Sequence, residues 1–391
     1  MSILSRTWTS SHPPTAPKST NPPPVRFGIL GAANIAPSAL ILPARSCPEA
    51  EVTVVGARSL EKAQEFAKKN GVAKAVQGYE AVLSDPEVDA VYNPLPNGLH
   101  YEWTMKALQA GKHVLLEKPA TNTAAESERI FALAKEKNLV VLEAFHYQFH
   151  PSAQRLKEII NSGELGGVQK ITATLTAPGG FIKPDDIRFQ YALGGGSTMD
   201  PGCYLTSMSR FVTGREPDSV LSASPVFQNK EQEPQIDRKM EFTLSFPALP
   251  AEVEGPTADC LCDLSTPWWG PFGLIPPMPD MSVRVQCERG EATLSNFVMP
   301  SFFHGITVSG PAGSRTERVY GWGKEGVEKG WKGESWWTTY RYQLQAFVDK
   351  VQGRVPQHWI SGEDTVGNMR CVDMVYEKSG LGVRPESAFK L

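Results

Sequence analysis

"VRFGILGAANIA", residues 25–36, decides how the rest of the chain is read. Val25–Leu30 is a short apolar run, and Gly31 follows it directly. Ala33 and Ala36 then stand where a G-x-G-x-x-G turn has its second and third glycines. Gly31 permits a tight turn, and the small Ala33 lets backbone N–H groups approach a pyrophosphate at a helix start. Ala36 allows a helix to pack close to a sheet. By itself such a turn serves packing equally well. A second apolar run at Glu51–Ala57 supplies the strand–turn–helix–strand context of a dinucleotide site. Gly31, Ala33, Asn34 and Ile35 are therefore its candidate contacts.

Working outward, strand patterns recur at Asp89–Asn93, His113–Glu117 and Leu139–Ala144. Helical patterns lie between them. "SLEKAQEFAKKNG" opens at a capping residue, Ser59, and stops at Gly71. Another helix opens at Thr123 with Glu126 three residues on, a capping box. This alternation predicts a doubly wound parallel α/β sheet, a Rossmann domain over residues 25–150. Residues 1–24, rich in Ser, Thr and Pro, read as a disordered tail.

After residue 151 the pattern changes. One helix leads into "VQKITATLTA", and strand-like runs follow at 237–246, 258–265, 282–288, 291–296, 305–309 and 316–321. Period-two runs with few helices between them predict an α+β domain, 151–391, with a large, mainly antiparallel open sheet. Two helices close the chain, one in "TTYRYQLQAFVDKVQG" and one opening at Ser361, and these are candidates to pack back on the Rossmann domain. Two loops, 266–281 and 321–337, are rich in tryptophan.

The chain has 391 residues, enough for two domains with real cores, and a net charge of −3. That charge offers no field for nucleic acid, and no apolar run is long enough to cross a bilayer. Six cysteines without a C-x-x-C pair argue for reduced thiols, a cytoplasmic protein and no metal site.

The strand at Glu51–Ala57 runs into Arg58-Ser59, with Ala57 where an NAD enzyme usually has an acid for the ribose hydroxyl. Arg58 can pair with a 2′-phosphate and Ser59 can hydrogen-bond it, which favours NADP over NAD, with NAD still possible. "YNPLPNGLH" places Asn93, Pro94, Leu95, Asn97 and His100 at the edge of the sheet where cofactors bind. "EKPA" puts Glu117 and Lys118 on the same edge, with Pro119 stiffening the exit. "GGGSTMDPGCY" brings Asp200 and Tyr204 four residues apart, on one face of a helix that starts near Asp200. An ammonium near Tyr204 would favour its phenolate and so proton exchange with a substrate hydroxyl.

Taken together, "GILGAANIA", "EKPA", "EAFHYQFHP" (143–151), "GGGSTMDPGCY" and "EDTVGNMRCVDMVYEKSG" (363–380) resemble the Gfo/Idh/MocA oxidoreductases. Within that family the chain is most similar to the dimeric dihydrodiol dehydrogenases and the NADP-dependent D-xylose 1-dehydrogenases. The resemblance implies a Rossmann domain followed by a sheet that covers the substrate and forms a homodimer or higher oligomer. It implies Lys118 at the nicotinamide ribose and substrate oxygen, Tyr204 as general acid/base, and Asp200 orienting a sugar or polyol. The branch usually carries E-A-x-W-T-R where this chain has Glu143-Ala144-Phe145-His146-Tyr147-Gln148, so His146 becomes a candidate substrate contact. Alternative substrates are a trans-dihydrodiol, a keto-sugar or a secondary metabolite. The alternative class is a non-catalytic cofactor-sensing regulator.

Overall fold

The computed structural model describes residues 2–250 and 254–390. The first sheet has six strands: β1 (Val25–Leu30), β2 (Ala50–Ala57), β3 (Lys74–Gln77), β4 (Ala90–Asn93), β5 (His113–Leu116) and β6 (Val141–Glu143). They lie in the order β3-β2-β1-β4-β5-β6, and every pairing is parallel. Alternate residues feed two cores. Phe27, Ile29, Val55, Tyr92, Leu115 and Leu142 enter one, and Leu30, Val54, Val91, Val114, Leu116 and Val141 the other. Burial on both faces is why these strands read as continuous apolar runs. The order reverses between β1 and β4, which opens a crevice at the carboxyl ends of the strands.

The predicted helix signals act as caps. Ser59 accepts from the Lys62 amide at 3.4 Å, and Gly71 ends that helix with φ +71°. Thr123 caps the helix Ala124–Glu136, but the Glu126 carboxylate reaches back to the Asn122 amide at 3.0 Å, one residue beyond the usual box.

The second sheet has eight strands: β7 (Val168–Pro178), β8 (Ser219–Phe227), β9 (Asp237–Ser245), β10 (Thr257–Thr266), β11 (Asp280–Cys287), β12 (Gly290–Ser295), β13 (Gly305–Gly310) and β14 (Gly313–Glu317). Its order is β14-β13-β12-β11-β7-β10-β9-β8, antiparallel except for the β7–β10 pair. Met240, Phe242, Leu244, Ala258, Cys260, Cys262 and Leu264 are buried on one face. The alternating positions carry ion pairs instead, Lys239–Glu241 at 2.5 Å and Lys170–Asp259 at 2.6 Å. One covered face and one polar face produce the period-two pattern. The strand expected at 316–321 lies earlier in the chain. β14 ends at Glu317, and Val319 leaves the sheet to donate to His304 Nε2 at 2.8 Å.

The N-terminal tail departs from the expected disorder. Ile3–Ser11 is a helix capped by Ser2. Arg6 is buried, its guanidinium 3.5 Å above the Tyr320 ring, and Ser10 donates to the Trp336 carbonyl at 2.6 Å. Lys18 donates to the carbonyls of Ala44, Cys47 and Ala50 at 2.8, 3.1 and 2.7 Å. Composition suggested a solvated segment, but these two basic side chains satisfy backbone oxygens and a ring face that the folded domains present.

The closing helices bridge both sheets. Thr339–Val351 sets Phe347 against Phe27 with ring centres 5.6 Å apart. In Gly362–Ser379, Asp373 accepts from the Ala124 amide at 2.9 Å while Asn368 donates to the Cys203 carbonyl at 3.2 Å. All six cysteines are free and buried. Leu391, the last residue of the expected second domain, lies outside the described residues.

Candidate active site

The site grows from the end of β5. The Glu117 amide donates to the Asn93 carbonyl at 3.1 Å, one last ladder bond before the chain turns out at Lys118-Pro119. That exit is pinned from two sides. His100 Nδ1 lies 2.8 Å from the Pro119 carbonyl, and the Ala120 amide donates to Glu143 at 2.8 Å. The Lys118 ammonium is therefore aimed from a fixed base.

Its partner comes from the second domain. Lys118 Nζ is 2.5 Å from Asp200 Oδ1, and Arg188 Nε donates to Asp200 Oδ2 at 2.7 Å. Burial opposes the Asp200 charge, but the ammonium and the guanidinium outweigh it and hold the carboxyl well below the usual range. Burial likewise opposes the Lys118 charge, and Asp200 overcomes it, so its pKa is raised. Glu117 pairs differently, since Tyr92 donates to it at 2.6 Å. Burial raises the Glu117 pKa, against the pull of Tyr92 and Lys118.

Asp200 is placed by the glycine run before it. Gly196 has φ +129°, and a Cβ there would fall 2.3 Å from an Asp237 oxygen. Asp237 binds Ser197 Oγ and the Thr198 amide at 2.8 and 2.7 Å, and Arg384 at 2.9 Å. This anchored loop enters a wide helical turn, Thr198–Gly202, that continues as the helix Cys203–Thr213. Asp200 and Tyr204, four residues apart, accordingly line one cleft with Lys118. The Lys118 nitrogen lies 5.0 Å from the Tyr204 ring centre.

The Tyr204 hydroxyl, however, meets His146 Nε2 at 3.0 Å. His146 is 2% exposed and lies behind Tyr204, not on the cleft wall where a substrate contact was expected. Burial raises the Tyr204 pKa well above normal, and burial with Lys118 lowers His146 to about 3, so both are neutral. The expected phenolate is thus not favoured in the resting site, because burial opposes its charge and the neighbouring acidic groups add to that.

The cofactor candidates divide. Gly31 has φ +92°, with its amide bonded to the Gly56 carbonyl at 2.7 Å, so the tight turn is present. Among the described residues, the amides of Ala33, Asn34 and Ile35 have no recorded partner in the chain. Free donors at a helix start beside an exposed Arg58 fit a dinucleotide phosphate. Ala57 is buried at the end of β2 and brings no acid. Ser59 is half-buried and also caps its helix. Ile35, Pro94, Leu95, Asn97, His100 and Glu117 line the cleft, whose volume is about 280 Å³. Asn97 donates to the Gly194 carbonyl at 3.0 Å and so joins the two domains. Asn93 serves the loop instead, while His100 both lines the cleft and braces the loop. Asn93 bonds Thr104 at 3.1 Å, and His100 also faces the Leu95 carbonyl at 2.6 Å. Burial holds His100 neutral, its pKa down to about 4.

Sequence reading missed Arg188, Tyr340 and Thr339. Arg188 sits in no motif, and nothing in its spacing ties it to Asp200. Tyr340 forms part of the cleft wall and lies 4.1 Å from the His146 ring. The helical stripe containing Tyr340 was visible, but not which pocket it faces. Trp268 and Trp269 are exposed and lie away from the cleft, with Trp268 donating to the Gly179 carbonyl at 2.8 Å. Trp337 is buried beneath the Arg341 guanidinium, 3.8 Å away.

Residues 25–145 match the oxidoreductase family with an NAD-binding Rossmann fold, and residues 153–293 match the GFO/IDH/MocA C-terminal domain. The chain is 32% identical over 364 residues to D-xylose 1-dehydrogenase (NADP(+)) 2 of Haloferax volcanii, covering 92% of this chain and 99% of that one. It is 39% identical over 215 residues to a dTDP-3,4-didehydro-2,6-dideoxy-alpha-D-glucose 3-reductase of Saccharopolyspora spinosa, covering 55% of this chain and 62% of the relative. A solved 3-ketoreductase from Actinomadura kijaniata, in complex with NADP and TDP-benzene, superposes with a TM-score of 0.73 at 25% identity, over 90% of this chain and 96% of that one. A glycine turn at β1, a lysine leaving β5 and an open sheet closing over both are accounted for together: this chain belongs to the Gfo/Idh/MocA family of oxidoreductases.

Proposed function

We propose that the protein is an NADP-dependent dehydrogenase acting on a hydroxyl of a sugar or cyclic polyol, of the D-xylose 1-dehydrogenase kind. The observation that carries this is the convergence of Lys118, Asp200 and Tyr204 on one cleft beside the glycine turn. Bound NADP supplies the hydride acceptor, or the donor in the reverse direction. The chain supplies the rest. Ala33, Asn34 and Ile35 amides hold the pyrophosphate, and Arg58 with Ser59 selects the 2′-phosphate. Tyr204 takes the hydroxyl proton, and Lys118 steadies the negative charge that grows on the substrate oxygen. Asp200 keeps Lys118 charged and accepts from a neighbouring sugar hydroxyl.

A second reading has the same chemistry run as a keto-sugar reduction, favoured by the likeness to the Saccharopolyspora reductase. We further infer a cytoplasmic homo-oligomer that pairs through the polar face of the eight-stranded sheet, in keeping with six free thiols. A screen of NADP and NAD against sugars, polyols and trans-dihydrodiols, read by nicotinamide absorbance, tests the proposal. The expected result is turnover with NADP preferred to NAD by about tenfold, the scale of one charged contact. Binding of NADP without turnover of any substrate would point to a cofactor-sensing regulator instead.

A further inference from the structure

We propose that His146 and Thr339 form a proton relay behind Tyr204, leading from the cleft to a second cavity beneath the N-terminal helix. The proposal rests on the dehydrogenase reading above. Three hydrogen-bonding groups stand in a row. The Tyr204 hydroxyl is 3.0 Å from His146 Nε2, and His146 Nδ1 is 2.8 Å from Thr339 Oγ1. Both His146 and Thr339 are almost wholly buried, so neither side chain meets substrate. Tyr340 lies against the His146 ring at 4.1 Å and holds its plane.

The far end of the row is open. Thr339 lines a separate cavity of about 190 Å³ together with Ser10, Ser38, Ser46 and Ser301. Ser11 and Ser38, on the same wall, are exposed, so this cavity reaches solvent. Ile35 and Tyr340 stand between it and the cleft, lining both. A cavity with several hydroxyls can hold exchanging water, although most of its wall is apolar.

The need for such a route follows from the charged half of the site. With cofactor and sugar in the cleft, a proton on Tyr204 would have to pass them to reach bulk water on that side. Lys118 is a poor carrier, since Asp200 at 2.5 Å keeps its ammonium protonated. His146 stays neutral, so it moves a proton by taking one at one nitrogen as it loses one at the other.

In the oxidative direction one proton enters the row for each that leaves it. The substrate C–H bond breaks, with its electron pair passing to the nicotinamide, and the C–O bond becomes a carbonyl. The hydroxyl proton goes to Tyr204, Tyr204's own proton to Nε2, the Nδ1 proton to Thr339, and the threonine proton to water in the cavity. When product leaves, the row runs back once. Water returns a proton to Thr339, Nδ1 regains one, Nε2 gives one to Tyr204, and Tyr204 releases the substrate's proton to the opened cleft.

Thr339→Val removes the hydroxyl at almost constant volume and is the decisive variant. The expected result is a fall in kcat of about tenfold or more, below the full worth of an acid/base group because Tyr204 remains. Substrate KM and NADPH affinity stay near the parent's, the solvent isotope effect on kcat rises, and Thr339→Ser restores activity. His146→Phe falls further, and adding Thr339→Val to it costs nothing more, because both break one row. Parent-like kcat and isotope effect in Thr339→Val would overturn the proposal, as would a Ser variant no better than Val. A readout without turnover separates this from failure of the dehydrogenase reading. In protein labelled with ¹⁵N-histidine, the His146 ring signals should move in Thr339→Val and in Tyr204→Phe. Signals unchanged in both would sink the relay whatever the substrate.

Discussion

The two halves of the cleft hold opposite states of charge, and the charged half is the more exposed, with Arg188 and Asp200 half-buried and Tyr204 and His146 buried. On one side Lys118, Asp200 and Arg188 stay ionised, because each finds an opposite charge at 2.5–2.7 Å. On the other side Tyr204 and His146 stay neutral, because burial suppresses their charged forms and no carboxylate partners them. Charge here follows the nearest partner together with the depth of burial. The division suits an oxidoreductase. A fixed ammonium can steady an oxyanion, and neutral groups in a row can pass a proton.

The largest effect of substitution lies on the neutral side. Tyr204→Phe should lower kcat by about 10²–10⁴ while NADP affinity holds, since the ring stays and only the hydroxyl goes. Turnover within about threefold of the parent would remove Tyr204 from the chemistry.

The charged side should break more gently. Asp200→Asn leaves Lys118 buried without its main counter-charge, and kcat/KM should fall about tenfold, roughly 1.4 kcal/mol. The sign of its pH effect is fixed. Asp200 now holds the Lys118 pKa above its normal value, and without it the lowering by burial prevails. The alkaline limb of the activity profile should therefore move to lower pH in the variant. An unmoved limb would mean that Lys118 does not depend on Asp200 for its charge.

The smallest effect sharpens the rule with a carboxyl that lacks a cation. Glu143 accepts from the Ala120 amide at 2.8 Å, yet burial pushes its pKa from 4.5 up to about 8. Between those values the folded chain keeps a proton that the unfolded chain releases, so this group lowers stability as pH rises. Glu143→Gln should cancel that loss, leaving the melting temperature higher than the parent's at pH about 8.5 and little changed at pH about 5. Equal pH slopes for the two proteins would refute it.

Much of the site could be read from local patterns. Gly31, Lys118, Asp200 and Tyr204 each sit in a short motif where a turn, a strand end or a helix spacing dictates direction. The parallel sheet could be read too, because strands buried on both faces leave long apolar runs. β3 and β8 were passed over, and each has a plain cause. β3 is a short edge strand with exposed Lys74 and Gln77, and β8 has few buried positions along its length. The order in the N-terminal segment was passed over because its anchors, Arg6 in the helix and Lys18 beyond it, bind a ring and carbonyls supplied by other parts of the chain.

By itself, then, the sequence determined most of the order of elements, the two sheet types and most of the groups that carry the chemistry. These follow from hydrophobic period, caps and turn residues, all of which act over a few neighbours. Only the tertiary structure decided their states. It paired Lys118 with Asp200 across 82 positions and closed Arg188 onto the same carboxylate. It also set His146 behind Tyr204 and joined it to Thr339, 193 positions away. Charge and proton position depend on what lies within about 3 Å, and at that range neighbours in the chain give no guide to neighbours in space.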